Sequence, residues 1–202
     1  MTPTTLERRA GAGRPPIAAG YVSVITPSLP GRARELAECI QSIAAQTVPV
    51  VHLIRADVDR VGPAVIRSEL LDEARTDLVA FCDDDDLLDP DHVDTLTRAI
   101  DATGAELAWS WHRTTGESPA RTPRPRGVAE AVAMMRAGRN VIPVTVVARR
   151  QAILDAGAFQ PMDRFEDYAL WLRMLDLGHR FAYVKRETWT YRFLGENRTW
   201  QR

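Results

Sequence analysis

From Tyr21 onward the chain alternates between short runs of apolar and β-branched residues and longer stretches in which apolar positions recur every three or four residues. The first run, Tyr21-Val22-Ser23-Val24-Ile25-Thr26, reads as a strand stopped by Pro27-Ser28-Leu29-Pro30-Gly31. A helix carrying Leu36, Ile40 and Ile43 follows, then a second strand, Val50-Val51-His52-Leu53-Ile54. Gly62-Pro63 opens another helix that runs through Leu70-Leu71, and Leu78-Val79-Ala80-Phe81-Cys82 forms the third strand. After Pro90 a helix with Val93, Leu96 and Ile100 on one face reaches Gly104, and Glu106 to Trp111 returns to strand. This alternation over residues 21–112 predicts a largely parallel sheet with helices on both faces.

The second half is less regular. Residues 113–127 hold Pro119, Pro123 and Pro125 among Arg113, Arg121, Arg124 and Arg126, which reads as a loop. A helix from Val128 to Ala137, a strand from Ile142 to Val147 and a helix beginning near Arg150 come next. Beyond Phe159 the pattern predicts a loop, an amphipathic helix with Tyr168, Leu172 and Leu175, and two strands, Phe181 to Val184 and Thr188 to Phe193. Residues 1–19 are rich in Pro, Gly, Ala and Arg without apolar periodicity and predict a flexible arm, so residues 20–202 make one domain.

Composition narrows the class. An apolar fraction of 45%, a charged fraction of 26% and a net charge of −1 fit a globular domain and offer no electrostatic case for nucleic acid. Lys185 is the only lysine, which removes the residue that a phosphate-binding P-loop requires. Cys39 and Cys82 do not make a disulfide framework. Without an apolar leader or a membrane-length apolar stretch, the expected location is the cytoplasm, with at most peripheral contact with a membrane.

The chemistry concentrates at Asp83-Asp84-Asp85-Asp86, placed between a strand and Leu87-Leu88-Asp89-Pro90. Carboxylates clustered at a strand's carboxyl end repel one another and suit a hard divalent cation, where open α/β sheets bind ligands. Asp85-Asp86-Leu87-Leu88-Asp89 has the spacing of the prenyl-diphosphate metal motif, but that motif belongs to all-helical proteins. A dehalogenase-type phosphatase aspartate pair belongs on the first strand. An EF-hand loop needs a central glycine and a terminal glutamate that are absent here. An Asp-x-Asp clamp for a nucleoside diphosphate remains.

These residues, with others, resemble the family 2 glycosyltransferases of GT-A fold, a Rossmann-like single domain. Val22-Ser23-Val24-Ile25-Thr26-Pro27-Ser28 resembles the family's opening strand and turn, and Ser42, Gln46 and Thr47 match its first-helix pattern. Phe81 to Pro90 stands where the family has its apolar-Asp-x-Asp-Asp stretch, and Phe165-Glu166-Asp167-Tyr168-Ala169-Leu170-Trp171-Leu172-Arg173 resembles its second signature. The resemblance implies inverting transfer of a sugar from a nucleoside diphosphate sugar, a UDP-sugar favoured, assisted by Mn²⁺ or Mg²⁺. The acceptor could be a glycan, a lipid-linked glycan, a protein or a small molecule. Oligomeric state is not implied.

Residue by residue, the resemblance places Thr26, Pro27 and Ser28 at the base pocket and Asp57, in competition with Asp59, on the base. Arg67 lies near the nucleotide, Asp83 at the ribose, Asp86 toward the sugar, and Asp84 in the donor-binding stretch but pointing elsewhere. Asp85 and Asp83 are the metal ligands, Asp167 is the catalytic base, and Glu166 is the second choice for it. A Glu-Asp pair opening a helix also suits helix capping. Trp109, Trp111 and His112 fit either an acceptor platform or a partly buried strand end. Where the family often carries a metal-binding histidine after a Tyr-Arg pair, this chain has Leu194, so Asn197 is a candidate for assisting the metal, while His92 and His179 are expected on helix surfaces. Rival readings are a sugar-nucleotide-binding domain without catalysis and a sugar-phosphate nucleotidyltransferase.

Overall fold

The structure is a computed structural model that describes residues 20–116 and 123–194. The arm expected over residues 1–19, Asn197 and part of the Pro/Arg loop lie outside the described residues. Seven strands form one sheet in the order β2-β1-β3-β6-β5-β7-β4. In chain order they are β1 (Val22–Ser28), β2 (Val50–Ala56), β3 (Leu78–Phe81), β4 (Leu87–Leu88), β5 (Leu107–Thr115), β6 (Val146–Arg149) and β7 (Phe181–Arg192). Five of them point the same way. β6 runs antiparallel between β3 and β5, and β4 runs antiparallel to β7 at the edge.

The helices are α1 (Ala33–Ala44), α2 (Pro63–Glu73), α3 (His92–Thr103), α4 (Val128–Arg136), α5 (Arg150–Asp155) and α6 (Glu166–Asp176). Their apolar stripes close two cores, one on each sheet face. One core gathers Leu70 and Leu71 of α2, Met135 of α4 and Leu170, Trp171 and Met174 of α6 around Ile25, Phe81 and Trp109. The other packs Cys39 and Ile43 of α1 and Leu96 and Ile100 of α3 against Val24, Ala80 and Trp189.

Three strand expectations change. β1 does not stop at Pro27 but continues through Ser28 beside β2. Alternate residues of β1 face opposite neighbours: the Ile25 carbonyl accepts from Cys82 N, whereas the Ser28 carbonyl accepts from Asp57 N. Pro27 therefore faces the β3 side, where β3 has already ended, and its missing N–H leaves no ladder bond unmade. The two C-terminal strands are one strand, β7, whose register against β5 shifts at Ser110/Trp111 and Trp111/His112. Those bulges accommodate the exposed Lys185-Arg186-Glu187 segment, which looks like a turn in the sequence. The strand expected at Ile142–Val147 begins only at Val146.

The cysteines come together. Cys39 on α1 and Cys82 just after β3 are buried free thiols with their sulfurs 3.8 Å apart, beneath the aspartate turn. Hydrogen bonding to Cys39, followed by burial, pushes the Cys82 thiol well above its ordinary range. No helix among the described residues is long and apolar enough to cross a membrane.

Candidate active site

The four aspartates form a turn between β3 and β4, closed by a bond from Asp86 N to the Asp83 carbonyl at 3.0 Å. Two side chains and one backbone N–H from α1 and the residues after it fix this turn. Ser42 Oγ accepts from Leu88 N, Gln46 Nε2 donates to the Asp89 carbonyl at 2.8 Å, and Gln46 Oε1 accepts from Val93 N. Thr47 N donates to the Pro90 carbonyl. The Ser42, Gln46, Thr47 pattern thus braces the acidic turn against α1.

Asp83, Asp85 and Asp86 each place one carboxylate oxygen within 4.8 Å of the others. Three hard oxygen donors at that spacing fit a Mg²⁺- or Mn²⁺-type cation. The cluster resists charging: burial, then the charge of Asp83, pushes Asp85 up to about 6, with Arg32 opposing. Burial, then Asp85 and Asp83, pushes Asp86 well above the usual carboxylate range. Asp84 is not one of these three, and its carboxylate accepts from Leu29 N at 2.8 Å and Arg32 Nη1 at 2.9 Å.

Arginines offset the remaining charge. Buried Arg67, on α2, donates from Nη2 to Asp83 and from Nη1 to Glu166 at 2.7 Å, and lies over the Phe159 ring. The planar guanidinium fork suits this two-sided clasp. Arg32 Nη1 bridges Asp84 and Asp85 at 2.9 and 2.8 Å. Arg192 at the end of β7 donates its backbone N to Asp86 Oδ1 and its Nε to the Asp85 carbonyl, and pairs with Glu38 of α1.

Glu166 and Asp167 open α6. The residue before the helix, Phe165, makes no side-chain cap bond, and the two carboxylates of the first turn stand at the positive end of the helix, where Asp167 takes up one backbone N–H. Phe165, just before them, adopts a left-handed conformation with φ 63°, which costs a bulky residue about 1–3 kcal/mol and needs support from its surroundings. Asp167 is half-buried. Its Oδ1 accepts from Tyr168 N at 2.7 Å and lies 3.5 Å from Asn140 Nδ2. Burial, then the charge of Glu166, raises it to about 6, while Arg67 pulls it down. A carboxylate that titrates there is ionised at neutral pH yet basic enough to take a proton.

At the carboxyl end of β1, buried Thr26 Oγ1 lies 2.9 Å from His52 Nε2, and burial pushes His52 down to about 4, so it is neutral at pH 7. Pro27 and Ser28 complete the same strand end. Asp57 is buried and Asp59 exposed. The Asp57 oxygens accept from Val61 N at 2.7 Å and Gly62 N at 2.8 Å, which shapes the loop leading into α2. Gly62 sits there at φ 93°, a conformation open to glycine.

Several side candidates resolve into packing. Trp109 is buried and stacks on Tyr183, and Trp111 and His112 sit among Trp189, Tyr191 and Arg124, so the partly buried strand end is what forms. His92 is not on a helix surface. It is fully buried with Nδ1 2.6 Å from Thr188 Oγ1, and burial pushes it down to about 3, because the first turn of α3 tucks under β7. His179 is half-buried after α6, and Leu194 is exposed two residues beyond Arg192. Arg32, Arg192 and Asn140 are the site residues that sequence reasoning missed. Only the position of Arg32 in the turn after β1 gave a signal.

The mixed sheet flanked by helices, with an acidic turn at a strand end, has the architecture of a GT-A-type domain. The model for glycosyl transferase family 2 matches residues 31–151, more than half the chain, and the chain belongs to that family. Among solved structures, Staphylococcus aureus TarS 1–349 in complex with UDP-GlcNAc is similar at a TM-score of 0.72 and 16% identity, over 90% of this chain and 61% of that one. Its UDP complex gives a TM-score of 0.68 at 14% identity, over 86% and 60%. The mannosyltransferase PcManGT from Pyrobaculum calidifontis, in complex with GDP-Man and Mn²⁺, gives 0.65 at 13%, over 92% and 61%. The chain therefore spans about three fifths of these relatives' length. No curated protein sequence matches it.

Proposed function

We propose that this domain transfers a sugar, with inversion, from a nucleoside diphosphate sugar to an acceptor hydroxyl. A UDP-sugar is the favoured donor. The observation that carries this reading is the shared arginine. Arg67 joins the aspartate turn to the Glu166-Asp167 pair, so donor-binding acids and a candidate base belong to one ionic network. Family membership and the nucleotide complexes of TarS and PcManGT support the donor class.

In this mechanism Thr26, Pro27 and Ser28 line the base pocket, and Asp57 supports it by holding the loop before α2. Asp83 and Asp85 would hold the cation, and Asp86, whose carboxylate lies beside theirs, would face the sugar. A bound Mn²⁺ or Mg²⁺ would supply positive charge to the diphosphate as it leaves. Arg67 fixes Asp83 and Glu166 relative to each other, and Asp167 takes the proton from the attacking hydroxyl.

The test is a screen of UDP- and GDP-sugars for release of nucleoside diphosphate in the presence of Mn²⁺. Release from one donor that chelation stops is expected. Failure to release from any donor, with water or with pooled glycan acceptors, would overturn transfer and leave a binding domain.

A further inference from the structure

Of the three arginines that reach the aspartate turn, Arg192 meets it through its backbone N on Asp86 and its Nε on the Asp85 carbonyl, and the other two are held differently from each other. The Arg67 side chain is 3% exposed, wedged between Asp83 and Glu166 and lying over Phe159, so it has no path out. The Arg32 side chain is 22% exposed and makes both of its carboxylate bonds through one nitrogen, Nη1. Its backbone ends the turn between β1 and α1, next to Gly31 at φ 98°, where a Cβ would meet nothing within 4 Å. The two partners of Arg32 also differ. Asp84 is anchored independently by Leu29 N and lies outside the metal cluster, whereas Asp85 belongs to it.

A divalent cation that uses Asp85 must compete with the guanidinium already on that carboxylate. Two positive centres on one carboxylate repel each other at this range. Arg32 has a second, fixed carboxylate to stay on, and its side chain is 22% exposed.

We propose that Arg32 is an exchangeable counter-ion of the aspartate turn. It neutralises Asp85 until a divalent cation enters, then gives up that carboxylate while keeping Asp84. The exchange makes the site weak for metal alone, because entry of the cation must break an existing ion pair. It rests on the reading of Asp83 and Asp85 as metal ligands.

The experiment measures binding of Mn²⁺ alone, without nucleotide, by electron paramagnetic resonance of the free ion. Arg32→Met, which keeps the stem and removes the charge, should bind Mn²⁺ about tenfold or more tightly than wild type. Arg32→Lys, which keeps the charge, should stay near wild type, and Arg32→Gln replaces the Met variant if that one fails to fold. Adding Asp85→Asn to Arg32→Met should erase the gain. Affinity in Arg32→Met equal to or below wild type, or a gain that survives Asp85→Asn, overturns the exchange. If wild type takes up Mn²⁺ with UDP but Arg32→Met shows no gain, the exchange alone falls. If no form binds Mn²⁺ with or without UDP, the metal reading falls with it.

Discussion

The back of the site and its front neutralise their carboxylates by opposite means. At the back, Arg67 is sealed between Asp83 and Glu166, so its charge is part of the fold. At the front, the partly exposed Arg32 rests on the buried Asp84 and Asp85, with Asp85 still pushed up to about 6. Removing one partner of a buried ion pair strongly destabilises a fold, whereas Arg32, 22% exposed above two buried carboxylates, can give up one of them when another cation takes its place. In the proposed mechanism the contrast separates what must stay fixed, the spacing of the aspartate turn and the Glu166-Asp167 pair, from what must change as charge arrives.

Breaking the back should have the largest effect. Arg67→Met leaves Asp83 and Glu166 without their shared cation and should lower stability by about 3–5 kcal/mol, read from chemical denaturation, while nucleoside diphosphate release disappears. A variant as stable as wild type would show that the clasp is not structural. Asp167→Asn should follow, with turnover down by about 10²- to 10⁴-fold and donor affinity nearly unchanged in steady-state kinetics. Glu166→Gln should lose less, and the reverse ranking would move the base to Glu166.

The pH dependence sharpens the same comparison. The folded pKa of Asp167, about 6, lies above its unfolded value of about 3.9, so the native state holds this proton more tightly. The stabilisation is complete below the unfolded value and is lost as pH rises through about 6. Asp167→Asn, fixed neutral, should therefore be more stable than wild type at pH 7.5 by up to about 3 kcal/mol, and no more stable at pH 4. Turnover should fall about tenfold per pH unit below 6 as the base is protonated. A flat profile down to pH 4.5 would remove Asp167 from that role. The smallest effect is expected at the front, where Leu194→His should tighten Mn²⁺ binding in the presence of UDP by about three- to tenfold. No change would mean that residue 194 does not stand beside the cation.

How much of this was legible follows from what each feature depends on. The strand and helix order could be read because burial imposes a period on the sequence, as in Leu36, Ile40 and Ile43 of α1. Strand direction could not: nothing local marks β6 as reversed, since its place between β3 and β5 is decided by packing. Lys185-Arg186-Glu187 concealed the continuity of β7, because charged residues on a bulge look like a turn. The aspartates, Arg67, Glu166 and Asp167 stood out by residue type and motif. Arg192 and Asn140 did not, and Arg32 did so only by its place in the turn after β1, because a lone arginine or asparagine carries little signal until the fold sets it against a carboxylate.

The central claim is that the aspartate turn is a cation-dependent donor site, and calorimetry with UDP tests it most directly. Wild type should bind UDP about tenfold or more tightly with Mn²⁺ than with chelator, and Asp85→Asn should lose that difference while remaining folded. Equal affinity in both conditions, or a cation effect untouched in Asp85→Asn, would contradict it.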